Sequence, residues 1–104
     1  MSQAVLRITV EQNPEAIVLK LEGRLAGPWV EELDRVWIET APSLQERKLS
    51  LDLRQTTFAD AGGIRILKTI YSQTGARILA GTPWTQYLAD EVTTSNSSSI
   101  ELEG

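Results

Sequence analysis

The 104-residue chain contains no cysteine and no histidine. Without cysteine there is no disulfide framework, no thiolate metal ligand and no thiol redox chemistry. Without histidine there is no Ser-His or Cys-His triad and no imidazole metal site. No apolar run approaches the roughly 20 residues that span a bilayer, so no membrane insertion is expected. The opening MSQAVLRITV lacks a charged segment followed by a long apolar one, so no secretory leader is expected and a cytoplasmic location is the default. Positive charge is also short: 10 Lys and Arg against 14 Asp and Glu leave a net charge of −4. That excludes the basic footprint of a nucleic-acid binder. Aromatics are few, and Trp29, Trp37 and Trp84 stand at core spacing, which favours packing over a base-stacking platform.

What remains is an ordinary globular composition long enough for one core. Residues 1–92 read as a single domain. Ala4–Val10 and Ala16–Glu22 are apolar, β-branched runs joined by Gln12-Asn13-Pro14, which predicts an antiparallel hairpin. Gly27-Pro28 opens a helix whose apolar arc is Trp29, Val30, Leu33, Val36 and Trp37; Ile38 falls among the charges, and Pro42 is expected to end the helix. Lys48–Arg54 alternates strictly, with Leu49, Leu51 and Leu53 on one side and Ser50 and Asp52 on the other. A strand covered on both faces would be apolar throughout. Helices are therefore expected mainly on one face, with water reaching much of the other. A second helix runs from Asp60 to about Thr74, with Ile64, Leu67, Ile70 and Tyr71 inward, Ile66 at the edge, and Gly75 as its stop. Ala76–Ala80 is a short strand. Thr82 and Pro83 cap and open a third helix striped by Trp84, Leu88 and Val92. The predicted order is β-β-α-β-α-β-α, with a mixed sheet. Residues 93–104 read as a polar tail, and Ile100–Leu102 as either a last short edge strand or disordered chain.

The informative stretch is FADAGGIRIL, Phe58 to Leu67. Asp60 is a good N-cap. Gly62 and Gly63 then weaken the first helical turn, each by about 0.8–1.0 kcal/mol against Ala in a helix interior and less at an end. Two readings stand side by side. The glycines let the helix start sit close to a neighbouring strand, or they leave its backbone open to a partner or an anion. The stretch lacks the spacing of a P-loop and of a dinucleotide fingerprint.

Beyond that chemistry, LSLDL followed after a Phe-containing loop by Asp-Ala-Gly-Gly and an apolar helix resembles the signature of STAS domains, the fold shared by anti-sigma factor antagonists and the cytoplasmic part of sulphate transporters. EGRL at Glu22–Leu25 and GARILAGTPW at Gly75–Trp84 resemble further family segments, so the likeness runs from about Val5 to Val92. It implies a STAS-like α/β fold, with a small mixed sheet and helices mainly on one face. In phosphorylation-regulated antagonists the motif reads Asp-Ser-Ser-Gly or Asp-Thr-Ala-Gly, and a partner kinase modifies the second hydroxyl position. Here Asp60 and Gly63 match the family Asp and Gly, Ala61 takes the first hydroxyl position, and Gly62 takes the acceptor position without a hydroxyl. No phospho-acceptor is left in the turn. Thr56 and Thr57 precede the motif and read as loop residues. The resemblance also implies a closing helix, which the polar residues after Val92 are not expected to form.

Catalysis needs convergent groups, and the chain offers only scattered carboxylates such as Asp52, Asp60 and Asp90. A carboxylate pair holding Mg²⁺ is conceivable but surface charge and capping explain these residues better. No enzyme activity, metal or cofactor is expected. The resemblance implies a protein-binding regulatory module whose partner is an anti-sigma, serine-kinase-type ATPase. The alternatives are a subunit docking on the ATPase of an ABC (lipid-type) transporter, and a nucleotide or anion sensor at the second helix start. The expected docking surface is Asp60, Ala61, Gly62 and Gly63 with the adjacent outward residues Arg65, Lys68 and Thr69, where two cations cluster on an otherwise acidic chain.

Overall fold

In the computed structural model, which describes residues 6–93, the elements follow the order read from the sequence. They are β1 (Leu6–Gln12), β2 (Ala16–Leu25), α1 (Pro28–Leu44), β3 (Lys48–Ala59), α2 (Ala61–Thr74), β4 (Arg77–Leu79) and α3 (Pro83–Thr93). The Asn13 side chain makes the hairpin turn, its Oδ1 accepting from the backbone N–H of Glu15 and Ala16, each at 2.8 Å. β1 and β2 pair antiparallel; the helix crossovers make β2–β3 and β3–β4 parallel. The sheet order is β1-β2-β3-β4.

The core lies between the sheet and the three helices. Ile17, Leu19 and Leu21 are fully buried, while Val18, Lys20 and Glu22 on the alternate side remain half-exposed. Leu33 and Trp37 of α1, Leu67 and Ile70 of α2, and Leu88 and Val92 of α3 close over the buried side. Each such side chain contributes about 1.5–3 kcal/mol on burial. Ile38 is exposed, as its place among the charges predicts. Asp60 and Gly75 bracket α2 as expected, Gly75 in the left-handed region with its N–H on Tyr71 O. Thr82 Oγ1 accepts from the Thr85 N–H at the start of α3, and Thr85 Oγ1 accepts in return from the N–H of Thr82.

Three expectations need correction. α1 does not stop at Pro42 but continues to Leu44. In the final turn, loss of one N–H removes only a single bond. The helix ends instead at Gln45, which has φ 49°, and Arg47 Nη2 donates to Ser43 O beside it.

The third strand does not give way to a loop after Arg54. It runs to Ala59 as a twelve-residue strand. Its pairing with β2 shifts between Lys20 and Glu22 and again between Gly23 and Arg24, each shift adding one residue on β3. These two bulges change the inward spacing from two residues to three. Leu49, Leu51 and Leu53 point inward, and then Thr56 and Ala59 do. Thr56, expected in a loop, is 2% exposed, and its hydroxyl donates to Leu21 O at 2.9 Å.

Asp52, expected on a wetted face, is 4% exposed. Arg54 lies two positions along the same side and folds over it. Nε bonds Oδ1 at 3.0 Å, Nη2 bonds Oδ2 at 2.9 Å, and the Arg54 N–H adds a third bond to Oδ1 at 3.1 Å. This bidentate pair holds the Asp52 carboxyl below the ordinary range despite its burial. The proposed edge strand at Ile100–Leu102 lies outside the described residues.

Candidate functional site

The Asp-Ala-Gly-Gly turn sits where β3 hands over to α2, beside the junction of β2 and α1. Its hub is Asp60. Oδ1 accepts from the Gly63 N–H at 2.8 Å, capping α2, and Oδ2 accepts from the Gly27 N–H at 3.1 Å, just ahead of α1. The backbone N–H of Asp60 donates to Leu25 O at 3.1 Å. One residue thus ties together the end of β2 and the starts of two helices. The Gly63 N–H, followed by that of Gly27, holds the Asp60 carboxyl below its usual range.

The two glycines have different jobs. A Cβ on Gly63 would lie 2.6 Å from Leu25 O and 2.9 Å from Leu25 Cγ, so this position admits no side chain without movement of the backbone. A Cβ on Gly62 would meet nothing nearer than Asp60 Oδ1 at 3.5 Å and the Val30 methyls at 3.9 Å, ordinary contact distances. Gly63 serves close packing; Gly62 sits where a Cβ would fit at ordinary contact distances.

The other candidate residues line the surface beside this turn. Ala61, Arg65 and Thr69 are exposed, Lys68 is half-buried, and the Thr69 hydroxyl is turned back onto Arg65 O at 3.0 Å. Arg65 borders two shallow hollows. One, of about 300 Å³, is lined by Ala61, Ile64, Arg65 and Lys68. The other, of about 370 Å³, is lined by Gly62, Arg65, Ile66 and Thr69 together with Val30, Glu31 and Asp34 of α1. The surface is therefore not uniformly basic. α1 supplies two carboxylates opposite Arg65, which its sequence distance from the motif concealed.

Sequence reasoning also missed a neighbour of the turn. Arg24 on β2 pairs in register with Phe58 on β3, and its guanidinium carbon lies 4.4 Å from the Phe58 ring centre. Phe58 is left 37% exposed. The pairing depends on the second β3 bulge, and nothing in the spacing of the two residues announces it. Trp84, read as packing, is half-buried, with its indole N–H bonded to Thr56 O at 2.9 Å.

Asp52 and Asp60 each bind protein groups, and among the described residues no three His, Cys, Asp or Glu side chains come together as metal ligands. No helix among those residues is long and apolar enough to cross a membrane.

No protein-family model and no curated protein matches the sequence. Solved structures do. An anti-sigma factor antagonist from Mycobacterium paratuberculosis superposes with a TM-score of 0.70 at 20% identity, covering 89% of this chain and 81% of its own. An antisigma-factor antagonist STAS domain from Rhodobacter sphaeroides gives 0.55 at 17% identity, over 76% of this chain and 88% of its own. Mglu gives 0.56 at 19% identity over 72% of this chain, which spans only 19% of that much longer protein. At these identities the likeness establishes the fold: a small mixed sheet with three helices in the STAS arrangement.

Proposed function

We propose that this chain is a bacterial, cytoplasmic, non-catalytic regulatory module that binds a protein partner in the manner of an anti-sigma factor antagonist, and that it does so without a phosphoryl switch. The observation that carries this reading is the division of labour between Gly63 and Gly62. Gly63 is held by packing against Leu25, whereas a Cβ at Gly62 would meet only ordinary contact distances. A phosphate there would add about −1.5 to −2 charges at the helix start; with glycine, that event has no acceptor. The docking surface is assigned to Asp60, Ala61, Gly62 and Gly63 with Arg65, Lys68 and Thr69.

Two fold neighbours are anti-sigma factor antagonists, which supports an anti-sigma partner; we take it to be a serine-kinase-type ATPase. Loss of the acceptor suits equally a subunit that docks on the ATPase of an ABC transporter and is never released by phosphorylation. A nucleotide or anion sensor at the start of α2 is disfavoured. The Asp60 carboxylate already caps the Gly63 N–H there, and its charge would repel an incoming anion.

The test is a titration of the chain against purified ATPases of both kinds. Arg65→Glu should lower the affinity for the true partner by about tenfold or more, as expected for a charged residue near the centre of an interface. Arg65 lies off the buried stripe, so the variant should fold. Binding by folded Arg65→Glu at the parental affinity would place the interface elsewhere.

A further inference from the structure

At the far end of β3, about 30 Å from Asp60 at about 3.3 Å per residue, lies a groove of about 470 Å³ whose lining includes Leu44, Arg47, Lys48, Ser50, Thr74 and Arg77. Three cations face this groove and no carboxylate lines it, on a chain in which acids outnumber bases by 14 to 10. Glu46 stands in an adjoining hollow with Arg47.

Strand geometry keeps the cations together. Arg77 pairs in register with Ser50, and Lys48 is two residues from Ser50, so all three side chains leave the same face of the sheet. Like charges held on neighbouring strands repel, and no salt bridge among the described residues relieves Lys48 or Arg77. Helix-end charge accounts for Arg47 but not for Lys48 and Arg77, whose side chains leave the sheet face turned away from the helices. α1 and α2 both finish here, each contributing about −0.5 of a charge. Arg47 meets that demand at α1, donating to Ser43 O and, at 3.1 Å, to Asn13 O. Lys48 and Arg77, with Arg47 beside them, form a cationic patch whose lining holds no carboxylate, the charge that a phosphate group complements.

We propose that this groove binds a phosphate-bearing small molecule, with Lys48 and Arg77 as the charged contacts, Ser50 as a hydroxyl donor and Arg47 as a fixed wall. Its volume lies within the range of small-ligand sites, about 300–1,000 Å³. The site is separate from the Asp60 turn and does not depend on the partner assigned to it.

The test is an amide-resolved NMR titration of the intact chain with inorganic phosphate, then pyrophosphate, at constant ionic strength. Saturable shifts are expected at residues 48–50 and 75–77, with pyrophosphate the tighter ligand. Arg77→Gln and Lys48→Gln should each weaken binding by about tenfold, while Arg65→Gln at the opposite end should leave it unchanged. Both substituted residues are exposed, and Lys48→Gln decides the matter if Arg77→Gln fails to fold. Shifts that do not saturate by about 10 mM, an affinity too low to matter, would overturn the proposal. So would shifts centred on residues 60–63, or shifts indifferent to both variants. A short oligoglutamate peptide that binds the groove more tightly than pyrophosphate would assign it to an acidic protein segment and equally overturn it.

Discussion

Asp60 and Gly27 are 33 positions apart, yet the Gly27 N–H donates to Asp60 Oδ2 at 3.1 Å while Oδ1 caps α2. Asp60 is therefore a structural tie as well as part of the proposed surface. Asp60→Ala should lower the melting midpoint by several degrees, and it should increase hydrogen exchange at Gly27 as well as at Gly63. Increased exchange at Gly63 alone would show that the link to α1 contributes nothing.

The two glycines should respond oppositely to substitution. Gly63→Ala drives a methyl into Leu25 O and should cost about 1–3 kcal/mol. At roughly 4–8 °C per kcal/mol for a domain of this size, the loss is visible in a simple melt. Gly62→Ser meets only ordinary contacts and should be neutral or more stable by a few tenths of a kcal/mol. A destabilised Gly62→Ser protein would mean that the position is not open.

Acid stability follows from two carboxylates. Arg54 holds the Asp52 pKa below its ordinary value, and the Gly63 and Gly27 N–H groups do the same for Asp60. Around pH 4 the unfolded chain then holds more protons than the folded one. The stabilisation is complete above the unfolded carboxylate value of about 3.9 and is lost as pH falls through the folded values. Melts between neutral and acidic pH should show this decline, and Asp52→Asn with Asp60→Asn should flatten it. An unchanged slope in the double variant would assign the acid sensitivity to other groups.

Most of the architecture is readable from residue patterns because local chemistry and tertiary position agree. Asn13 turns the hairpin, Gly75 ends α2, and Thr82 caps α3. The failures share a cause in β3. Its two bulges are set by pairing with β2, so a strict alternation through Leu53 gives no warning that Thr56 and Ala59 point inward. The same register creates the Arg24–Phe58 contact and explains why a threonine that looks like a loop residue is buried. Asp52 lies on the side of its strand that the alternation predicts, but it is covered because Arg54 folds over it. At the candidate site, the motif marks Asp60 to Gly63, whereas Glu31 and Asp34 arrive from α1 and carry no local signal.

Phosphorylation checks the proposed absence of an acceptor in the turn. The Thr56 hydroxyl is buried and bonded to Leu21 O, so no kinase reaches it without unfolding the end of the strand. Thr57 is exposed. Incubation with a serine-kinase-type partner and ATP should leave the parent unmodified by intact mass, and Gly62→Ser should gain one phosphate. Stoichiometric phosphate on Thr57 of the parent would restore a displaced switch.

The most direct measurement follows the complex itself over time in the presence of ATP. The parent chain and Gly62→Ser are each bound to the kinase-type partner, and the bound fraction is recorded after ATP is added. A constitutive docking module predicts that the parent stays bound while Gly62→Ser is modified and released. Release of the parent with the same time course would contradict the account, because binding would then be switched by something other than a hydroxyl at residue 62.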